Sequence, residues 1–246
     1  MPEDQIPAAI CIGWRPRNNE GGSPRTIQSQ MLSKALWSKF EHVSVSTDEG
    51  TIDAPFNRAR AKNLAAKSAI AMGARTLVFA DADCYARPEV IRAAVEAVQR
   101  TEVGICMAHN GQGRYMSSGL LEGMNTGGVV GPFPGGIFAI RAETFMGIGG
   151  FDERFLGWGH EDFCFFLTAD AIFNISISGM QEAEPFTKMD ILYGRSRYED
   201  WLRANPDTPE GMLYQQNTER RDLYLQLNPG DTKGYWALRN DKKEEA

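Results

Sequence analysis

Two groups of acidic residues are placed where they could bind a metal ion and move a proton. Asp81 and Asp83 follow a short apolar run and are separated by one small residue, and residues 157–162 read GWGHED, ending in Glu161 and Asp162. Paired carboxylates supply the oxygen ligands that Mg²⁺ and Mn²⁺ prefer. In the second group, the Trp offers an apolar face to a sugar ring and a carboxylate can deprotonate a hydroxyl. The two groups predict a metal-assisted phosphate site and a sugar site.

Each pattern could also arise from local structure alone, with no part in chemistry. Pairs of Asp separated by one residue are common in surface turns, and such short motifs often match by chance. Glu161 and Asp162 lie at the predicted start of a helix, where the helix dipole favours negative charge. One of these two carboxylates could therefore be a helix-start residue only.

The elements that must position these residues alternate between short apolar runs and helical periodicities. This alternation is typical of an α/β fold with a largely parallel sheet. Strands are predicted at 8–13, 42–46, 76–80, 103–108, 137–140 and 175–178. The strand at 76–80 places Asp81 and Asp83 at its carboxyl end, where open α/β sheets bind their ligands.

Helices are predicted between most of these strands. They cover 56–72, a stretch starting at Pro88, a short stretch ending near Ile148, 161–171, a segment around 198–202, and 212–227. A further helix, capped by Ser23, would carry Ile27, Met31, Ala35 and Phe40 on one face. Residues 110–136, rich in Gly and Ser, are predicted as a long functional loop or mobile flap.

Composition restricts the classes of partner. The chain has 246 residues, of which 42% are hydrophobic, and a net charge of -6. A chain with no basic surplus is a poor match for nucleic acid or an anionic membrane as its main partner. The acidic N-terminus does not resemble a signal peptide and no stretch could span a bilayer, so cytoplasmic residence without integral membrane contact is expected. The four Cys lie far apart with no CxxC pair, which indicates neither a disulfide framework nor a zinc site.

Three segments, taken in order, resemble the GT-A glycosyltransferases. They are residues 56–60 (FNRAR) with Asn63, residues 79–83 (FADAD), and residues 135–162, which contain GG, GGF and GWGHED. The likeness is closest to the C-terminal domain of the lactose-synthase-type galactosyltransferases. Related patterns occur in the chondroitin-polymerase-like and polypeptide N-acetylgalactosaminyl transferases. The resemblance covers about residues 8–180, and its last segment is the most specific part.

The resemblance implies a GT-A fold with a mostly parallel central sheet flanked by helices. The GT-A domain would cover residues 1–190, with a donor half at about 8–108 and an acceptor half at about 129–180. Residues 191–246 would form a helical C-terminal extension with a frayed tail. The implied activity is transfer of a hexose from a nucleotide-diphosphate sugar, with uridine diphosphate as the expected nucleotide. A bacterial or phage enzyme would fit such a chain.

The same resemblance assigns roles to individual residues. Asp162 matches the general base that deprotonates the acceptor hydroxyl, and Glu161 would hold the acceptor sugar or orient that base. The mechanism would be a single displacement with inversion. The residues implied to contact the nucleotide-sugar are Trp14, Arg15, Phe56, Arg58, Asp81, Asp83, Gly136 and Trp158.

A divalent metal, Mn²⁺ first and Mg²⁺ second, is implied at Asp83. Asp81, Asp190 and His109 are further candidate ligands, because the family places a ligating His downstream of the base and this chain has none after Asp162. Metal-independent transfer is the alternative. A second departure is Phe163, which stands where the galactosyltransferases continue with acidic residues, so the acceptor's identity does not carry over. Glycans, lipid-linked sugars, nucleic acids and proteins all remain candidate acceptors.

Three other functions are alternatives to sugar transfer. A GT-A fold that only binds a sugar nucleotide is kept open by Phe163 and the missing His. A haloacid-dehalogenase-like phosphohydrolase would use Asp81 as its nucleophile, but Tyr85 occupies the place of its usual Thr or Val. A sugar nucleotidyltransferase would need a Gly-rich phosphate loop after the first strand, and residues 14–22 do not supply that signature.

Overall fold

A computed structural model gives the positions of most of the chain. The residues it describes are 5–15, 36–50, 54–82, 84–100, 104–109, 113–116, 126–130, 135–173, 177–179, 186–189 and 195–240. The strands are β1 (Ile6–Gly13), β2 (Phe40–Ser46), β3 (Thr76–Ala80), β4 (Cys84–Tyr85), β5 (Ile105–Met107), β6 (Gly113–Met116), β7 (Thr126–Val130), β8 (Ile137–Arg141), β9 (Ile177–Gly179) and β10 (Phe186–Met189). The helices are α1 (Arg58–Ala71), α2 (Pro88–Arg100), α3 (Ala142–Ile148), α4 (Glu161–Phe173), α5 (Arg195–Ala204), α6 (Pro209–Leu225) and α7 (Thr232–Asn240).

The main sheet has six described strands in the order β2-β1-β3-β8-β5-β9. β1 is parallel to β2 and β3, and β5 is parallel to β9, whereas β8 runs antiparallel to both of its neighbours. The sheet is therefore mostly parallel, with one reversed strand. This arrangement confirms the predicted α/β class.

Both faces of this sheet are covered, which explains why its central strands are continuous apolar runs. All five residues of β3 are buried. On one face Val78 packs in a cluster with Ile91 and Val95 of α2. On the other face Phe79 belongs to a cluster of aromatic rings, in which its centroid lies 5.3 Å from that of Phe138.

Small residues bring α1 close to the end of β1. The buried face of α1 is almost entirely alanine, and a side chain on Gly13 would place its Cβ 2.9 Å from the Cβ of Ala61. Because such a distance is shorter than normal carbon contacts allow, Gly13 is required for this approach. The approach sets the first turns of α1 beside the carboxyl ends of the strands.

The prediction that Phe40 lies on a helix is wrong. Phe40 begins β2 instead of ending a helix, because it pairs with Ile6 of β1 and its side chain is buried in the core. Helical spacing could not reveal this pairing with a distant strand. Ile27, Met31 and Ala35 lie outside the described residues.

The predicted loop at 110–136 contains two strands, β6 and β7. They belong to a second sheet of order β4-β10-β6-β7, in which β6 pairs with β7 antiparallel and with β10 in parallel. The Gly-rich sequence of β7 gave no strand pattern, since its stability comes from hydrogen bonds to other segments. The remainder of 110–134 lies outside the described residues.

Three helices, α5 to α7, follow the last described strand. The sequence predicted helices around 198–202 and at 212–227, which correspond to α5 and α6. The extent of the two predicted domains stays a prediction. In the described part of the chain, no helix combines the length and apolar character needed to cross a bilayer.

Asp152 ties the C-terminal helices to the sheet domain. It lies in the turn after α3 and is buried, and its carboxylate accepts hydrogen bonds from Arg220 Nη2 at 2.6 Å and Tyr224 Oη at 2.8 Å, both on α6. Arg154 also donates to this carboxylate, at 3.0 Å. Although burial opposes ionisation, the hydrogen bond from Arg154 and the charges of both arginines hold the pKa of Asp152 below its ordinary value. The carboxylate is therefore charged and fully paired.

We expect Asp152→Asn to lower the free energy of unfolding at pH 7 by about 3 kcal/mol, because two arginines lose their buried counter-charge. The pKa of Asp152 is lower in the folded chain than its ordinary 3.8, so its stabilisation is present above about pH 4 and is lost as the pH falls further. Urea unfolding of both proteins should therefore show a difference that shrinks at acid pH. The exposed Asp207→Asn is the control, and a pH-independent difference would contradict the assignment.

Candidate active site

The carboxyl end of β3 places Asp81 next to the start of β8. Asp81 N donates to Gly136 O at 3.1 Å, and Asp81 O accepts from Cys84 N at 2.9 Å. Gly136 has a φ of 95°, in the left-handed region that favours glycine. Two residues predicted for donor binding, Asp81 and Gly136, are thus adjacent. Asp83 lies outside the described residues, as does Asp190.

Lys62 connects three carboxylates at this edge. Its Nζ lies 2.8 Å from Asp162 Oδ1, 3.2 Å from Asp81 Oδ1 and 3.7 Å from Glu161 Oε1. The Lys62 side chain is only 3% exposed. Asp81 comes from the predicted donor side, whereas Glu161 and Asp162 come from the predicted acceptor side. One buried ammonium therefore joins the two halves of the predicted site.

Arg58 adds a second positive charge, one turn before Lys62 on α1. Its Nη1 donates to Glu161 Oε1 at 3.2 Å. Asn57 caps this helix by accepting a hydrogen bond from Arg60 N at 2.8 Å, which fixes where α1 begins. The cap and the helical spacing of four residues aim both cations at the first turn of α4.

The two adjacent acidic residues of α4 differ in acidity. Burial opposes ionisation of Glu161, but the nearby charges of Arg58 and Lys62 hold its pKa below the ordinary value. For Asp162, burial together with repulsion from Glu161 and Asp81 outweighs the attraction of Lys62, and its pKa is raised to about 6. The same carboxylates raise the pKa of Lys62 despite its burial. Glu161 is a fixed anion, whereas Asp162 can exchange a proton near neutral pH.

Backbone geometry brings the segment at 135–136 against the Asp162 carboxylate. A Cβ on Gly135 would lie 2.3 Å from Asp162 Oδ2, so only glycine fits there. His109 is buried, and its Nε2 lies 2.9 Å from Gly135 O. Because burial lowers the pKa of His109 to about 4, the ring is neutral, and Nε2 donates to the carbonyl since a carbonyl only accepts. His109 thereby supports the glycine that contacts Asp162.

Arg15, Phe56 and Trp14 cluster near the end of β1. Arg15 donates to Asp48 Oδ2 at 2.5 Å and to Ala54 O at 2.9 Å, and its guanidinium lies 5.2 Å from the centre of the Phe56 ring. Trp14 N donates to Ser46 O at 3.0 Å. Phe56 O accepts from Gly157 N at 3.0 Å, which joins this cluster to the segment that carries Trp158. Trp14 and Arg15, Phe56 and Trp158 therefore lie on three chain segments that hydrogen bonds join.

Cation sites require several ligands in one place. Within the described residues, no group of three or more His, Cys, Asp or Glu is arranged to hold a metal ion. The ammonium of Lys62 lies among Asp81, Glu161 and Asp162 and offsets their charge. The predicted ligand Asp83 is not among the residues described.

Lys62 was not among the residues predicted for the site. The sequence nevertheless contains a pattern that indicates its burial, because Lys62 falls at helical spacing with Ala59, Ala65 and Ala69 on the face that is otherwise apolar. A lysine within such a face needs buried counter-charges, and three are found. Asn217 of α6 was also missed, since its partners are backbone groups 60 residues away, which no local pattern predicts.

Comparisons with known proteins show what this chain is similar to in sequence and fold. Residues 131–169 match the family model described as the N-terminal domain of galactosyltransferase, a segment that includes Glu161 and Asp162. A structure of GalNAc-T7 with UDP, GalNAc and Mn²⁺ is 14% identical with a TM-score of 0.50, over 96% of this chain and 55% of that chain. The protein has the GT-A glycosyltransferase fold. The galactosyltransferase-like segment of this GT-A protein contains Glu161 and Asp162, the two carboxylates predicted for the acceptor side.

A galactosyltransferase structure is similar to this chain as well. The catalytic domain of Drosophila β1,4-galactosyltransferase 7, in complex with xylobiose, is 18% identical with a TM-score of 0.48, over 77% of this chain and 73% of that chain. No curated protein sequence matches the chain at a significant level.

We expect Lys62→Met to lower the free energy of unfolding at pH 7 by about 3 kcal/mol or more, because three buried carboxylates lose their shared counter-charge. Urea unfolding followed by circular dichroism measures this change. Lys67→Met, on the exposed face of the same helix, should alter stability by about 0.5 kcal/mol at most. Equal effects of the two substitutions would mean that Lys62 does not neutralise the carboxylates.

Proposed function

We propose that this protein is a glycosyltransferase that moves a hexose from a nucleotide-diphosphate sugar to an acceptor hydroxyl. The observation that carries the proposal is the position of Lys62, whose ammonium contacts Asp81 on one side and Asp162 on the other. In the proposal these two carboxylates face the donor sugar and the acceptor hydroxyl. The reacting atoms would meet beside the two carboxylates, since the Lys62 ammonium occupies the space between them.

Asp162 is the general base in this proposal. A general base must be ionised at the working pH and able to hold the proton it accepts, and a pKa of about 6 meets both conditions. Asp162 takes the proton of the acceptor hydroxyl while the oxygen of that hydroxyl forms a bond to the anomeric carbon. The bond from that carbon to the phosphate oxygen breaks, and the nucleoside diphosphate leaves with the bonding electrons. A single displacement of this kind inverts the anomeric configuration.

The neighbouring residues position the reactants. Glu161 remains charged beside Arg58 and Lys62, so it can accept hydrogen bonds from sugar hydroxyls without competing for the proton. Arg58 is proposed to bind the diphosphate of the donor, as guanidinium groups commonly do. Trp14, Arg15, Phe56, Asp81, Asp83 and Gly136 are proposed as the remaining donor contacts, and Trp158 as an apolar face for the sugar rings.

The donor is proposed to be a UDP-sugar, and the metal to be Mn²⁺ or, second, Mg²⁺. The similar GalNAc-T7 fold binds UDP, GalNAc and Mn²⁺, which supports both choices. Asp83 would hold the cation, with Asp81 or Asp190 as further ligands, or His109 through Nδ1, since its Nε2 donates to Gly135 O. When bound, a divalent ion offsets the negative charge of the diphosphate.

We expect Asp162→Asn to reduce sugar transfer by at least about 10²-fold, because an amide cannot accept the acceptor's proton. The affinity for the UDP-sugar should change little, since the donor contacts lie elsewhere in the proposed site. Product formation from a panel of UDP-sugars, with and without Mn²⁺, and calorimetry with the best donor measure the two effects. Asp170→Asn, at the exposed far end of α4, serves as the control.

Two outcomes of that experiment would contradict the proposal. Undiminished transfer by Asp162→Asn would remove Asp162 from the base role. Tight binding of a UDP-sugar by wild type, with neither transfer nor release of UDP under any metal condition, would instead favour a GT-A protein that only binds sugar nucleotides.

The activity of wild type should depend on pH through Asp162. Because the base acts when ionised and its pKa is raised to about 6, log kcat/KM should rise with unit slope below pH 6 and level off above it. Rates measured from pH 4.5 to 8.5 test this profile. The residual activity of Asp162→Asn should lack the inflection near pH 6, and an unchanged inflection would assign it to another group.

A further inference from the structure

The segment 156–160, which carries Trp158, has a backbone that needs external support. Three of its residues have positive φ: Gly157 at 73°, His160 at 72° and Gly159 at 105°. The left-handed region is unfavourable for a residue with a side chain such as His160, and persists only where surrounding contacts fix it. The contacts that fix this segment come mainly from one helix, α6.

Asn217 of α6 makes three hydrogen bonds to the backbone of this segment. Its Oδ1 accepts from Leu156 N at 3.2 Å, and its Nδ2 donates to Leu156 O at 2.7 Å and to Trp158 O at 3.1 Å. The side chain is buried, with 3% of its surface exposed. Only a primary amide offers an acceptor and two donors in this arrangement, so neither Asp nor Leu could replace it.

Two further residues of α6 fix the end of the segment. Thr218 Oγ1 donates to Tyr214 O at 2.9 Å, so the oxygen accepts from His160 Nε2, which lies 3.3 Å away. The Tyr214 ring lies 5.8 Å from the Trp158 ring and 5.6 Å from the His160 ring, measured between centroids. These contacts orient both the ring of Trp158 and the residue directly before Glu161.

We propose that α6 fixes Trp158 and the start of α4 in place for the acceptor, with Asn217 and Thr218 as positioning residues. The proposal rests on the function proposed above, since it assigns the C-terminal helices a part in acceptor binding. The proposed donor residues Asp81 and Arg15 are held by contacts outside α6, Asp81 by Gly136 O and Lys62 and Arg15 by Asp48 and Ala54 O. Loosening the segment therefore weakens use of the acceptor more than binding of the donor.

The test compares wild type with Asn217→Ala in the full-length protein. Amide hydrogen exchange in peptides covering 156–160 should accelerate about tenfold or more, the change expected when a buried hydrogen bond is lost. The KM for the p-nitrophenyl glycoside that wild type uses best should rise about tenfold or more. The Kd for UDP-galactose should stay within about twofold of wild type. Gln216→Ala, on the exposed side of α6, should change none of these quantities.

Thr218 provides a second pair of variants if Asn217→Ala does not fold. Thr218→Val removes the hydroxyl that contacts His160 and should raise the acceptor KM, whereas Thr218→Ser keeps the hydroxyl and should restore it. Unchanged exchange at 156–160 in the Asn217 and Thr218→Val variants would overturn the proposal. So would an equal loss of donor and acceptor affinity. If wild type transfers no sugar, the proposed function fails, while the exchange measurements still decide whether α6 fixes the segment.

Discussion

The salt bridges of Lys62 are the interaction on which the site depends. Without this ammonium, Asp81, Glu161 and Asp162 would be three anions meeting in a largely buried space, and their mutual repulsion would separate β3 from α4. Placing one buried cation among them offsets part of their charge and costs the desolvation of four charged groups. The arrangement is maintained because the rest of the fold holds α1 in a single position.

That position follows from small residues. Gly13 and the alanine face of α1 allow the helix to lie against the end of β1, and Gly135 leaves room for the Asp162 carboxylate. His109, neutral and buried, supports the backbone on the other side of Gly135. Each of these residues controls how closely two segments around the site approach each other, and none needs to touch a substrate.

A second buried charge cluster stabilises the attachment of the C-terminal helices. Asp152, with Arg154, Arg220 and Tyr224, joins the turn after α3 to α6. The same helix binds the backbone of Leu156 and Trp158. The C-terminal helices are thus connected to the site by hydrogen bonds as well as by packing.

The sequence by itself determined the α/β class, the strand at 76–80, and the placement of Glu161 and Asp162 at a helix start, because apolar periodicity and helix-start chemistry are local properties. It also carried the motifs by which the GT-A fold was recognised. Only the tertiary structure decided that Lys62 joins the two acidic groups, that Phe40 belongs to a strand, that residues 113–116 and 126–130 pair in a second sheet, and that Asn217 contacts the segment of Trp158. These features depend on contacts between residues far apart in the chain, and such contacts leave no pattern within either segment alone.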